Sequence, residues 1–115
     1  MQHLAWKDVE KEVLNDKLWR QLVYGEKVMV AQLWLFKDCL VPLHHHESEQ
    51  ISLVFEGALK FELEGREVIV RGGEALVIPS NVPHSALALE DTRGIDVFSP
   101  IRHDWINRTD SYLRK

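Results

Sequence analysis

From Ala58 to Glu64 the chain alternates strictly, with Leu59, Phe61 and Leu63 on one side and Lys60, Glu62 and Glu64 on the other. A period of two is the pattern of a half-buried β-strand. Glu64-Gly65 then makes a tight reversal into Arg66 to Arg71, and the whole reads as a hairpin. The same logic extends in both directions. Trp19 to Tyr24 is a candidate first strand, ended by Gly25. Val28 to Phe36 is rich in apolar and aromatic residues and suits a strand buried on both faces. Further strands follow at Ile51 to Glu56 and Ala75 to Ile78, at the alternating Leu87 and Leu89, and at Ile95 to Ser99. Gly72-Gly73 and Asp91 to Gly94 supply turns between them. Seven or eight short strands with Gly- or Pro-marked turns predict an all-β antiparallel sandwich or barrel. Two segments stand outside this pattern. Trp6, Val9, Val13 and Leu14 have loose helical spacing, which predicts a short helix or turn near Lys7 to Glu12. The polar tail from Asn107 to Lys115 is expected to fray or to form a short helix cap.

The chain has 115 residues, which corresponds to a single domain spanning residues 1–115. Its 45% hydrophobic and 28% charged content allows a buried core. No apolar stretch approaches the roughly 20 residues of a membrane-spanning helix. A net charge of -4 offers no electrostatic footprint for nucleic acid or anionic lipid. The first residues, Met1 to Asp8, lack the basic start and apolar run of a secretory signal, and a lone Cys39 forms no internal disulfide. The expectation is a cytoplasmic domain acting on a small molecule, with no nucleic-acid or membrane partner.

Chemistry concentrates in Pro42-Leu43-His44-His45-His46-Glu47-Ser48-Glu49-Gln50. Neutral imidazole is the commonest metal ligand, and His-x-His on a strand points both rings the same way. His44 and His46 therefore share a side and His45 points away. A second stretch, Gly73 to His84, ends in another histidine at a loop-to-strand junction held by Pro79 and Pro83.

Together these stretches resemble the two motifs of the cupin superfamily. His44, His46, Gln50 and Gly57 fill the first, and Gly73, Pro79 and His84 match the second. Asn81 stands where a second glycine is usual, a mild departure because Asn tolerates the left-handed backbone region. Ala88 stands where an asparagine is usual. The resemblance covers about residues 20 to 105. It implies a single-domain antiparallel double-sheet jelly-roll barrel in which His44, His46, Gln50 and His84 hold one divalent metal ion: nickel, zinc, manganese or iron. Gln50 takes the place of the usual Glu, and Glu49 is the alternative ligand. With no carboxylate among the ligands, such a site is a strong Lewis acid that attracts anions.

A third cluster runs from Asp96 to Trp105. On a strand, Asp96 and Phe98 share a face, and they reach the cavity if Ile95 and Val97 pack on the other side. Asp96 is then a general base or a salt-bridged brace, and Arg102 offers a planar fork to a substrate carboxylate or to Asp96 itself. Asp96, Phe98 and Arg102 resemble a segment of the pectin degradation protein (KdgF-type) group of small cupins. That resemblance implies ketonisation of 4,5-unsaturated monouronates from pectin or alginate. Asp96 would move the proton, Arg102 would hold the carboxylate or developing charge, and Phe98 would wall the sugar. The competing readings are a metal-dependent dioxygenase and a non-enzymatic sugar-binding module. His3 and His103 read as solvated surface groups, and Cys39 as a small buried hydrophobe. Aromatic residues between Trp6 and Tyr24 predict a homodimer contact.

Overall fold

A computed structural model describes residues 1–114. The described residues form ten strands: β1 (Glu12–Asn15), β2 (Leu18–Tyr24), β3 (Met29–Leu35), β4 (Leu40–His44), β5 (Glu49–Glu56), β6 (Ala58–Leu63), β7 (Arg66–Arg71), β8 (Glu74–Ile78), β9 (His84–Ala88) and β10 (Thr92–Ser99). A single helical turn α1 (His103–Ile106) and 3-10 turns at Trp6–Asp8 and Ser111–Leu113 complete it. Every strand pairing is antiparallel, in a six-stranded sheet ordered β1-β2-β3-β10-β5-β8 and a four-stranded sheet ordered β4-β9-β6-β7. The all-β double-sheet expectation holds.

The alternation read in the sequence decides which side chains meet between the sheets. In β3 the residues Met29, Ala31, Leu33 and Leu35 are buried, and in β6 Leu59 and Phe61 are buried. These join Val54, Val70, Ile78, Ala86 and Phe98 in one core. The predicted hairpin is present, with Glu62 paired to Glu67 and Leu63 to Arg66 across a turn in which Glu64 and Gly65 both have positive φ, 51° and 73°. Gly57 has φ +96°, and a Cβ there would lie 2.4 Å from Thr92 Oγ1 and 2.5 Å from the Asp91 carbonyl oxygen. Only glycine meets both constraints.

The structure departs from the sequence reading in four places. Asp91 to Gly94 was expected to be a turn, but β10 already begins at Thr92. The buried Thr92 hydroxyl donates to the Glu90 carbonyl oxygen and accepts from the Ala58 N–H, which draws the segment into the sheet. In β9 the inward residues are His84, Ala86 and Ala88, while Leu87 and Leu89 are only partly buried. Small side chains there leave the interior open. The N-terminal helix is only the turn Trp6–Asp8, and Val13 and Leu14 belong to strand β1.

The fourth concerns the tail, of which Lys115 lies outside the described residues: of its two expected forms it takes the short helical turn, at Ser111–Leu113, and not the frayed one. Residues 107–114 do not fray; they dock across β1 and β2, and the core extends to Leu14, Leu18 and Leu113. Asp110 is 1% exposed and receives the Arg20 guanidinium at 2.6 Å, and Arg20 is itself fully buried. Arg20 also reaches Glu12 Oε1 at 3.2 Å and the Trp105 carbonyl oxygen at 3.2 Å. Arg114 donates to Asp110 at 2.9 Å and to Glu12 at 3.2 Å. Polar composition thus hides a buried ionic cross-link between the chain's two ends. Removing Asp110 leaves the fully buried Arg20 with Glu12 alone, a carboxylate it shares with Arg114, and breaking a buried pair costs about 3–5 kcal/mol. Asp110→Ala should therefore lower Tm by more than about 10 °C. Most of the loss should return in the apolar double variant Arg20→Met/Asp110→Leu. A shift of only a few degrees for the single variant in thermal denaturation would show that the pair bears little weight.

Candidate metal centre

Sheet register assembles the site. In the four-stranded sheet His44 of β4 lies directly opposite His84 of β9. In the six-stranded sheet Phe98 lies opposite Gln50, and Asp96 opposite Ser52. His46 sits just past the end of β4, and its carbonyl oxygen accepts the Asn81 N–H at 2.8 Å. Asn81 has φ 63°, the left-handed conformation its position in the second motif requires. That bond ties the first histidine stretch to the second.

The candidate ligand atoms of His44, His46 and His84 all lie within 4.8 Å of one another. Each ring is oriented from behind by a backbone carbonyl. His44 Nδ1 is 2.7 Å from Pro42 O, His46 Nδ1 is 2.8 Å from Ser48 O, and His84 Nδ1 is 2.8 Å from Val82 O. A carbonyl accepts only from an N–H, so the proton of each neutral ring is assigned to Nδ1 and the Nε2 lone pairs are left free. Such backing is how proteins orient metal-binding imidazoles.

Two details test whether these donors fit a cation. His84 Nε2 is buried and has no hydrogen-bond partner. His46 Nε2 lies 3.0 Å from Gln50 Oε1, although with Nδ1 protonated neither atom has a hydrogen to share. Two acceptors at that separation match neighbouring corners of an octahedron with ligand bonds of about 2.1 Å. The Gln50 amide nitrogen is already engaged, donating to Ser52 Oγ at 2.9 Å and Asp96 Oδ2 at 3.3 Å, which turns the amide oxygen toward the rings. Glu49, the alternative ligand, is exposed, whereas Gln50 is buried. The donor set fits a divalent metal.

Burial shapes the protonation of the site. Desolvation first, then the nearby positive groups, pull His44 and His46 down to about 4, and His84 is lowered for the same leading reason. Desolvation pushes Asp96 up to about 6, against the Ser52 hydrogen bond and the Arg102 charge, which lower it. The histidines therefore stay neutral and available to a metal in mildly acidic solution. They also give stability a pH dependence. Between about pH 4 and 6.5 the unfolded chain binds protons that the folded imidazoles refuse, so their contribution is present above 6.5 and lost as pH falls toward 4. Asp96 acts with the opposite sign, favouring the fold at low pH and losing that contribution as pH rises through about 6. Three groups outweigh one. Chelator-treated protein should lose Tm as pH drops from 6.5 to 4, and His46→Gln should flatten that slope. Equal slopes for the two proteins would contradict the assignment.

Arg102 is 4% exposed. Its fork is not paired with Asp96, one of the two partners the sequence allowed. Nε and Nη2 donate to the two oxygens of Asp104 at 3.0 and 2.8 Å, and Nη2 also reaches the Tyr112 hydroxyl at 2.8 Å. Burial opposes the Asp104 charge, but the Arg102 bonds outweigh it and hold that carboxyl below the ordinary range. The guanidinium stacks over Phe98 and Trp105 at 5.2 and 4.8 Å, and its Nη1 is buried without a partner. His44, Gln50, His84, Asp96, Phe98 and Arg102 line one cavity of about 50 Å³. It has room for an ion and a few ligand oxygens, not a whole sugar. His3, His45 and His103 are exposed and are not among the grouped ligands, and Cys39 is buried, its thiol pushed up to about 11 by desolvation.

Ser52, Asp104 and Tyr112 were missed at the level of sequence. Ser52 is two residues from Gln50, so period two on β5 could have found it. Asp104 is two residues from Arg102, a local acid-base spacing. Tyr112 carries no signal in the sequence.

Comparison with known proteins supports the same picture. The cupin domain family matches residues 38–99. The chain is 29% identical over 98 residues to the pectin degradation protein KdgF of Dickeya dadantii, covering 83% of this chain and 89% of that protein. Its fold superposes with TM-score 0.84 on an RmlC-like cupin from Shewanella frigidimarina, at 27% identity and with 91% of this chain and 96% of that one covered. The structure of KdgF from Halomonas sp. superposes with TM-score 0.80 at 30% identity, covering 86% and 94% of the two chains.

Proposed function

We propose that this chain, which belongs to the cupin family, is a metal-dependent enzyme that ketonises 4,5-unsaturated monouronates derived from pectin or alginate. The observation that carries the reading is the cluster of three metal-fitting imidazoles, two of which line one cavity together with a carboxyl raised by burial and a buried guanidinium whose Nη1 has no partner. Similarity to two KdgF proteins supports the choice of substrate class.

His44, His46 and His84, with the Gln50 oxygen, would hold the ion, and imidazole with amide oxygen suits nickel, zinc, manganese or iron. A divalent ion in that position supplies Lewis acidity toward an oxygen of the bound sugar acid. Arg102 Nη1 takes the substrate carboxylate, with Asp104 already neutralising the rest of the fork. A cavity of about 50 Å³ would take this end of the substrate and leave the rest of the ring outside it. Phe98 closes one wall against water. Asp96 accepts the proton of the anomeric hydroxyl as the C1–O5 bond opens to an aldehyde. It then returns a proton to C4 as the C5 enol oxygen becomes a ketone. Nothing is gained or lost overall, so the step needs no oxidant. A carboxyl at about 6 suits both halves of that exchange near neutral pH.

A homodimer through the N-terminal segment belongs to the same proposal, because Leu4, Trp6, Tyr24 and Val28 expose apolar surface there. Sedimentation of the purified protein at twice the chain mass would support it. The reaction itself is tested by the ultraviolet absorbance of the conjugated C4=C5 carboxylate. Metal-loaded protein should remove it faster than the spontaneous rate and without oxygen uptake. A rate equal to the spontaneous one defeats the proposal, and stoichiometric oxygen uptake would favour a dioxygenase.

A further inference from the structure

We infer that Tyr112, in the polar tail, is a positioning residue that couples the metal centre to the anion-binding fork. This rests on reading the histidine cluster as a metal centre. The Tyr112 ring stacks on His44, with centroids 4.6 Å apart and planes 30° from parallel. His84 approaches the same imidazole at 4.3 Å. His44 therefore has Tyr112 and His84 as ring neighbours and the Pro42 carbonyl on its Nδ1.

The other end of Tyr112 holds the fork. Its hydroxyl oxygen accepts from Arg102 Nη2 at 2.8 Å and from Trp105 Nε1 at 3.2 Å. Two N–H donors use both lone pairs of that oxygen, so the phenol is fully committed as an acceptor. Burial raises its pKa, which keeps it neutral. Asp104 supplies the countercharge to Arg102, and Tyr112 supplies direction. With Nε and Nη2 both engaged, Nη1 is the buried edge of the guanidinium left for an incoming anion.

The tail is anchored well enough to serve this role. Leu113 is buried, its carbonyl oxygen accepts from Asn15 Nδ2 at 3.0 Å, and Asp110 is locked to Arg20 and Arg114. One side chain from the end of the chain thus sets the attitude of a metal-binding ring and of the anion fork together.

Two variants separate the two contacts. Tyr112→Phe keeps the stack and removes the acceptor; Tyr112→Leu removes both. Cobalt(II) affinity and optical spectrum, read by titration against a chelator, report on the metal centre. D-galacturonate, a saturated uronate, reports on the fork through its binding to the cobalt-loaded protein. Tyr112→Phe should leave cobalt affinity within about twofold and weaken galacturonate about tenfold or more, as expected for losing a hydrogen bond to a charged group. Tyr112→Leu should in addition weaken cobalt about tenfold, the lower end for losing a group that orients a ligand. If both variants match wild type in cobalt and galacturonate binding and differ only in Tm, Tyr112 is merely a packing residue and the inference fails. Wild type that binds cobalt but not galacturonate overturns the coupling to the fork. Wild type that takes up no cobalt defeats the underlying metal reading as well.

Discussion

If the proposed ketonisation holds, Asp96→Asn protein should keep its metal and lose about 100- to 10,000-fold in turnover of unsaturated uronate, the usual weight of a positioned proton-transfer group. The substitution is chosen for shape. An asparagine oxygen still accepts from Gln50 Nε2, the contact that helps turn the Gln50 oxygen toward the rings. What disappears is the ability to take and return a proton. Asp96 sits at the cavity wall between Ser52 and Gln50 and is unpaired with Arg102, whose fork is spent on Asp104. A brace would be expected to pair with the nearest guanidinium; a base has to stay free of it. Steady-state rates with metal content measured on the same samples decide the matter. Turnover within a few-fold of wild type at full metal content would make Asp96 structural.

His84→Ala is expected to have the second large effect. Four ligands to a zinc site together contribute roughly 10–16 kcal/mol, so one ligand is worth about 2.5–4 kcal/mol, or about 70- to 900-fold in affinity. His84 is 2% exposed, and its Nε2 has no other partner, so no rearranged hydrogen bond compensates. Chelator competition should show the loss, and turnover at limiting metal should fall with it. His45→Ala is the matched control, because that ring is exposed and outside the cluster. Equal losses in the two variants would mean that general damage, not ligation, is being measured.

Much of this was legible in the residues because two periodicities are simple. Alternation through Leu59, Phe61 and Leu63 placed a strand and its inward face, and His-x-His parity put His44 and His46 on one side. What escaped has identifiable physical causes. Strand β4 has no clean alternation: Leu40 and Leu43 are exposed and Pro42 interrupts it, so only its histidines stood out. In β9 the larger Leu87 and Leu89 drew attention although the small Ala86 and Ala88 face inward. The tail reads as frayed or as a short helix cap because charge normally marks solvated chain. Here Asp110 is buried against Arg20, a pairing 90 residues apart that no local window can detect. Tyr112 was missed for the same reason: its partners, His44 and Arg102, are joined to it by the fold alone.

X-ray absorption spectroscopy of the metal-loaded protein decides whether rings from two distant parts of the chain bind one ion. One ion per chain is expected, with the multiple-scattering signature of three imidazoles and the remaining ligands oxygen. Protein that takes up no ion, or an ion whose spectrum contains no imidazole, would contradict it.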